Sequence, residues 1–466
     1  MFAKINNNKV YIIIFIGFIY SIFNSITDTK KYDKYQVGSN GKEFHSILKG
    51  DIHHYWDEAY LFKKNIKEGK PFLNSFVDAE RSYLYPKFIA FYYLIVDKNI
   101  KNKDENFETN NYKFGIPIIQ SIIFYFILIL FYKKISTVFS NKSLFFIIFF
   151  IALEPSMTQF HSSYWTESLY FSLLLILFSL LINLPKNNYG YFFLGIFITI
   201  IFMLRSAGLF LILPTIIYLI INLKQKAIKP SIIVIIGYTL VILFIGYQNY
   251  KKSEIFYVST PAQLDAPWNY LAHKLNSKKL GITEEEALKK KYEDMNKWMN
   301  DNEINLNTFK GERKLGQYKK KYFLESLEDN YLYFAKYHIY KSMQTLILPL
   351  NDVKTYYERD PSIIKIWKTA EWKNQFKYKI PYSFFIYIVS LIGLIKMILS
   401  GKKYERNLVI LIFLFCIYHL GLLGWVGNGR YGVPNQIFYS VFFGLGAEWI
   451  YNKIKFFLVN LKINYR

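Results

Sequence analysis

Residues 51–62, DIHHYWDEAYLF, hold two Asp, one Glu and two adjacent His within twelve positions, and they follow a run of almost pure hydrocarbon, VYIIIFIGFIYSIF (10–23). Carboxylates at a membrane–water boundary suit acid–base work: Asp57, with Glu58 beside it and Asp51 upstream, could take a proton from an acceptor hydroxyl while its partner stays anchored in lipid. The competing reading is local, because Asp is a favoured residue for capping a helix start. His53 and His54 raise a metal, with His161 and Glu167 as ligands reaching in from another loop. Adjacent His do not share a helix face and no spaced second pair accompanies them, so a divalent cation is left open rather than required.

The arginines point to an anionic partner. Only seven of the 58 basic residues are Arg, so a basic position in this chain is Lys by default. Arg81, Arg205 and Arg430 fall in the first long loop or at helix ends on its side. A guanidinium presents a rigid fork that matches a phosphate bidentately, whereas an ammonium is a point charge. The alternative is ordinary snorkelling to lipid head groups, which Lys would do as well. Glu154 and Glu167 flank a short loop on the same side, where a boundary acid is costly enough to suggest a role.

These residues need a scaffold, and composition says which kind. The chain has 466 residues, 52% of them hydrophobic and 20% aromatic. Its apolar residues gather in nearly uncharged blocks at 10–26, 114–132, 143–154, 164–184, 188–204, 207–223, 231–247, 381–399, 407–424 and 435–450. Most have the length a helix needs to cross about 30 Å of hydrocarbon. A single helix over 188–223 would reach about 54 Å, so Arg205 and Gly208 mark a reversal. The expected fold class is an all-α polytopic membrane protein of about ten spans. Its first helix, after Lys4 and Lys9, is retained rather than cleaved, since no small-x-small pattern follows. With the N-terminus inside, Lys133, Lys134, Lys142, Lys186, Lys224, Lys226, Lys229, Lys402, Lys403 and Arg406 all fall inside. The short outer loops hold only Arg205 and Arg430, which is the positive-inside pattern.

Two long segments then lie outside, giving three units: a membrane module 1–247 with the first outer loop 27–113, a mainly helical insert 248–380, and C-terminal helices 381–466. Within the loop, 57–69 reads as a short amphipathic helix with Ala59, Phe62 and Ile66 on one face and Gly69 as its stop. The stretch 84–96 is too short to span and belongs at the interface. The formal charge of +24 would raise nucleic acid in a soluble chain. No nucleic-acid motif accompanies it, and head groups with membrane orientation account for it. A lone Cys416 excludes an intrachain disulfide. No internal repeat is visible, which disfavours an inverted-repeat transporter.

Four stretches resemble the GT-C superfamily of membrane glycosyltransferases, nearest to its aminoarabinose, protein O-mannosyl and GPI mannosyl transferases. WDEAYLFKKNIKEGKPF (56–72) is similar to the acid pair, helix and Gly of that family's first outer loop. RSYLYPKFIAFYYL (81–94) resembles its basic residue with a Pro-Leu-Tyr-Pro segment, Tyr83 standing where many members have Pro. HSSYWTESLYFSLLLIL (161–177) resembles a Thr-Glu-Ser-Leu helix start. MLRSAGLFLILP (203–214) and RYGVP (430–434) resemble later Arg-containing turns, the latter with Tyr431.

The resemblance implies a GT-C-like fold and an inverting sugar transfer from a polyprenyl-phosphate carrier to a glycan, lipid or protein acceptor. It implies a site on the outer face of a membrane of bacterial inner-membrane type. Asp57 would be the base, with Asp51 in reserve and Glu58 adjacent. Arg81 or Lys87 and Arg430 would hold the carrier phosphate, with Glu80, Arg205, Tyr431 and Glu167 around them. The rival readings are a surface-polysaccharide polymerase or ligase, a flippase for a lipid-linked sugar, and an inactive carrier-binding relative.

Overall fold

A computed structural model describes residues 7–32, 35–37, 43–45, 51–70, 83–96, 114–161, 163–259, 267–306, 308–328, 330–347, 380–400, 402–423 and 432–464. Backbone polar groups within hydrocarbon must be satisfied inside their own segment, so the apolar blocks become helices. In chain order these are α1 (Asn7–Tyr32), α2 (Asp51–Lys67), α3 (Leu84–Val96), α4 (Gly115–Ile135), α5 (Asn141–Leu153), α6 (Pro155–His161), α7 (Glu167–Ile182), α8 (Asn188–Leu204), α9 (Ile212–Leu223) and α10 (Ile228–Ser253). The insert supplies α11 (His273–Leu280), α12 (Glu284–Asp301), α13 (Phe309–Glu328) and α14 (Tyr331–Ile347), and the chain ends with α15 (Ile380–Leu399), α16 (Lys403–Leu423) and α17 (Val433–Asn464).

One feature departs from an all-α chain. Strands β1 (Tyr35–Val37) and β2 (Glu43–His45) pair antiparallel, Tyr35 opposite His45. Other boundaries also move. The amphipathic helix begins at Asp51 rather than near Asp57, and the last helix runs on to Asn464. Residue 248, the expected start of the insert, lies inside α10.

Five stretches among the described residues are long and apolar enough to cross a membrane: α1, α4, 206–251, α15 and α16. The α5–α6 pair, bent by 50°, would be a sixth. Many large apolar side chains on these helices face outward, among them Phe15, Ile236, Phe384 and Ile388. Exposed apolar surface on this scale belongs to a membrane-embedded protein.

Side-chain pairs fix the direction of the helices. Tyr11 packs on Tyr132 at 5.4 Å and Phe18 on Tyr125 at 5.9 Å, so α1 and α4 are antiparallel. Gln120 reaches Ser163 and Phe131 stacks on Phe178 at 6.0 Å, so α4 and α7 run together. The 206–251 stretch is divided by a turn at Lys224, whose φ of +53° puts a non-glycine residue in a costly region. Asn222 pairs with Asn407 and Ala207 with Tyr418, which sets α9 antiparallel to α16. Gly195 of α8 lets α10 approach so closely that a Cβ there would sit 2.1 Å from the Val234 carbonyl oxygen. Partner numbers rise together along this pair, making α8 and α10 parallel and α9 the return between them.

The bundle therefore has two chemically different ends. One gathers lysines around Glu448 of α17, which accepts from Ser140 at 2.6 Å, Ser143 at 2.7 Å and Lys396 at 2.9 Å. The other carries α2, α3, the break at Arg205 and the insert.

Within the insert, Thr283 and Glu286 form a capping box at the start of α12. Lys291 on that helix is fully buried, donating to the Trp268 carbonyl at 3.3 Å with its ammonium 3.9 Å from the Trp268 ring. Trp268 opens a π-helical turn, Trp268–Ala272. Burial, with Lys319 adding like charge, pushes the Lys291 amine down to about 8. Its unfolded value is near 10.4, so the unfolded chain binds more protons between those limits and stability should rise with pH through that window. Lys291→Met should therefore be the more stable form at pH 7, on the order of 1–3 kcal/mol, with the gap closing towards pH 10.5. Thermal unfolding of both full-length proteins from pH 7 to 10.5 checks this, and a constant gap would remove Lys291 as its source.

Candidate functional site

Three short segments meet at the end of the bundle opposite Glu448, and aromatic rings hold them together. Trp56 of α2 meets Tyr93 of α3 edge-on at 4.7 Å and Tyr164, just before α7, at 6.5 Å. Tyr55 packs on Tyr85 at 5.2 Å. The buried Tyr85 hydroxyl donates to Gln120 Oε1 at 2.8 Å, and Gln120 Nε2 donates to the Ser163 carbonyl at 2.8 Å. That relay ties the first loop to the approach to α7.

The apolar face read from Ala59, Phe62 and Ile66 is the one α2 buries: Ala59 and Phe62 are almost wholly enclosed and Ile66 packs against the core. Gly69 stops the helix with φ +71°, while Gly69 and Lys70 donate back to Ile66 and Asn65. Asp57 and Glu58 lie well inside α2, half-buried, with Asp57 Oδ1 and Glu58 Oε2 shielded from solvent. An interior position removes the capping role that Asp57 would have had at a helix start. Asp51 opens the helix, though its side chain, like those of His53 and His54, lies outside the described residues.

Lys63 and Lys87 are both buried between α2 and α3, Lys87 with its ammonium 5.5 Å from the Phe62 ring. A crevice of about 10 Å³ between these helices, lined by Trp56, Lys63 and Tyr93, has room for roughly one water. A hollow of about 530 Å³ on the insert, from Gln317 to Tyr331, holds none of the expected site residues.

Arg205 breaks α8 and faces α7. Its Nη1 lies 2.6 Å from Glu167 Oε1 and donates to Thr166 Oγ1 at 3.0 Å. Glu167 is 1% exposed and Arg205 11%, so the pair is almost fully desolvated. Glu167 stands in the first turn of α7, where the helix dipole also favours a carboxylate. The Arg205 guanidinium lies 5.7 Å from the Tyr170 ring, and the Tyr170 hydroxyl meets His419 Nε2 at 3.0 Å. Two residues before Arg205, the Met203 carbonyl accepts from the Tyr83 backbone N–H at 2.8 Å. The break in α8 thus holds the start of α3 in place.

His161 and Glu167, the ligands considered for a cation, each make other contacts, although the buried His161 Nε2 makes no hydrogen bond. His161 Nδ1 meets Ser168 Oγ at 2.7 Å with its ring 4.1 Å from Phe124, and Glu167 pairs with Arg205. Among the described residues no group of three His, Cys, Asp or Glu could hold a metal. Glu154 sits at the α5–α6 bend, taking hydrogen bonds from Ser156 at 2.7 Å, Gln436 at 3.2 Å and Tyr382.

Of the expected site residues, Asp57, Glu58, Lys87, Glu167 and Arg205 gather at this end. Glu80, Arg81, Arg430 and Tyr431 lie outside the described residues. Gln120, Thr166, Tyr170 and His419 were not anticipated. Gln120 and His419 did carry a signal, as polar residues inside apolar segments. No protein-family model matches this chain, and no curated protein matches it.

Proposed function

We propose that this chain is an inverting glycosyltransferase that moves a sugar from a polyprenyl-phosphate carrier to an acceptor at the outer face of a membrane, on a frame of about ten spans with the N-terminus inside. One observation carries the reading. The stretches around Asp57, Lys87, Glu167 and Arg205 are spread over some 150 residues, yet they converge through Trp56–Tyr164, Gln120–Ser163, Tyr83–Met203 and Arg205–Glu167.

Asp57 takes the acceptor hydroxyl proton as that oxygen attacks the anomeric carbon. The bond from that carbon to the phosphate oxygen breaks on the opposite face, and its electron pair leaves with the carrier phosphate through a transition state of oxocarbenium character. Lys87, with Arg81 and Arg430, stabilises the charge growing on that phosphate. Arg205, neutralised by Glu167, acts from behind as a positioning group. The bilayer keeps the donor's lipid tail within reach of a fixed site.

The test is transfer by the purified protein in lipid, offered a panel of radiolabelled polyprenyl-phosphate sugars and a membrane extract. Label appearing in an acceptor supports the reading and names the sugar. Carrier binding with no transfer to any acceptor would replace it with a flippase or an inactive carrier-binding protein.

A further inference from the structure

The insert brings a further arginine to the same end of the molecule. Arg313, in the second turn of α13, has a side chain 4% exposed. Its guanidinium lies 4.8 Å from the Tyr257 ring, and its one ion-pair contact among the described residues is Glu312 Oε2, 3.8 Å away on a half-exposed side chain. Nε is buried and makes no hydrogen bond. A buried guanidinium whose Nε makes no hydrogen bond and whose ion-pair contact is 3.8 Å away is destabilising for the protein that carries it. The local sequence, KGERKLGQYKKK (310–321), supplies Lys at every other basic position, so Arg here answers a need for the planar fork.

The neighbours of Arg313 link it to the first loop. Tyr257 and Val258 follow α10, and the Tyr83 hydroxyl donates to the Val258 carbonyl at 2.9 Å. Asn249 Nδ2 donates to that hydroxyl at 3.1 Å and to the Tyr257 carbonyl at 2.8 Å. Tyr83 is itself held by Met203, beside Arg205. Burial raises the Tyr83 phenol, which also feels the charges of Arg313 on the insert and Glu58 on α2. Arg313 on the insert and Glu58 on α2 thus both lie within electrostatic reach of one tyrosine.

We propose that Arg313 binds the phosphate of the isoprenoid carrier, so that the insert contributes directly to the donor site. The identity of the carrier rests on the transferase reading; the anion site rests on the unbonded Nε and the long ion-pair contact of a buried guanidinium. A group kept for a ligand and one kept for stability respond oppositely to removal. Without ligand, a phosphate-binding Arg313 leaves the protein equally or more stable when replaced, because an unsatisfied buried charge is gone.

The experiment measures binding of farnesyl monophosphate to the full-length protein in phosphatidylcholine nanodiscs, with farnesol as the uncharged control, alongside thermal unfolding without ligand. Wild type should bind the phosphate and not the alcohol. Arg313→Met should weaken binding by about tenfold or more while melting no lower than wild type. Arg313→Lys, which keeps charge but not the fork, should lose about threefold or more at unchanged melting temperature. Wild-type affinity in either variant overturns the proposal, as does a Met variant that melts several degrees lower, which would mark a structural prop. Displacement of farnesyl phosphate by an equal mole fraction of phosphatidylglycerol would overturn the carrier assignment by showing an ordinary head-group site. Binding that depends on Arg313 with no sugar transfer would leave this site standing and remove the transferase. Transfer indifferent to Arg313 would do the reverse.

Discussion

Asp57→Asn should abolish sugar transfer, by about 10³-fold or more, in protein that reconstitutes and melts as wild type does. A positioned general base contributes about 10² to 10⁴ in rate, and Asn cannot accept the acceptor proton. The substitution is nearly isosteric, and Asp57 lies inside α2 rather than at its first residue, so no capping bond is at stake. Trp56 and Ala59, which seat the helix against α3, are untouched. Transfer and melting temperature therefore separate the two readings of this acid. Loss of transfer with unchanged melting marks a base. If transfer persists above a tenth of wild type, the base is not Asp57 and the role passes to Asp51. A lowered melting temperature would assign Asp57 to holding the fold.

Glu167→Gln should cost about 3–5 kcal/mol of stability, measured by reversible unfolding in mixed micelles. The charge on Arg205 would remain, 11% exposed, without the carboxylate now 2.6 Å from it. Its contacts with Thr166 and the Tyr170 face would remain, and neither of those residues carries a countercharge. Arg205→Met alone should cost a similar amount by taking from the buried Glu167 carboxylate the guanidinium now 2.6 Å from it. Glu167→Leu with Arg205→Met should recover much of either loss, because replacing both ions by apolar groups is often neutral. Additive costs in that cycle would show that the two charges do not act as a pair. Since Arg205 and Met203 anchor the approach of Tyr83 and α3, single variants should also weaken carrier binding even though neither residue need touch the carrier.

Helix content and most helix ends were legible from the chain, because hydropathy and length decide whether a segment can satisfy its backbone within hydrocarbon. The break at Arg205 was legible too, since one helix over 188–223 is too long, and α9 does run back between α8 and α10. The buried face of α2 followed from the spacing of Ala59, Phe62 and Ile66. Its first turn did not, because Asp51 and Asp57 offer equal cap signals, and the helix is extended upstream of Asp57 by Tyr55 and Trp56 packing on Tyr85 and Tyr93. The hairpin of β1 and β2 was missed because three-residue strands carry too little periodicity to register.

The candidate site divides the same way. Residue type and scarcity singled out Asp57, Glu167 and Arg205 without any fold, because desolvated acids and a rare guanidinium are costly wherever they occur in a membrane chain. Pairing was a different matter. That Arg205 answers Glu167, that Gln120 bridges Tyr85 to Ser163, and that Arg313 and Glu58 both act on Tyr83 depend on proximity between segments 35 to 255 positions apart. Such contacts are set by which helix faces pack together, and a one-dimensional pattern of apolar and charged residues leaves that choice open. The sequence alone determined which residues would be expensive to bury; the tertiary structure decided which of those expenses cancel one another, and left the buried Arg313 Nε without a hydrogen bond.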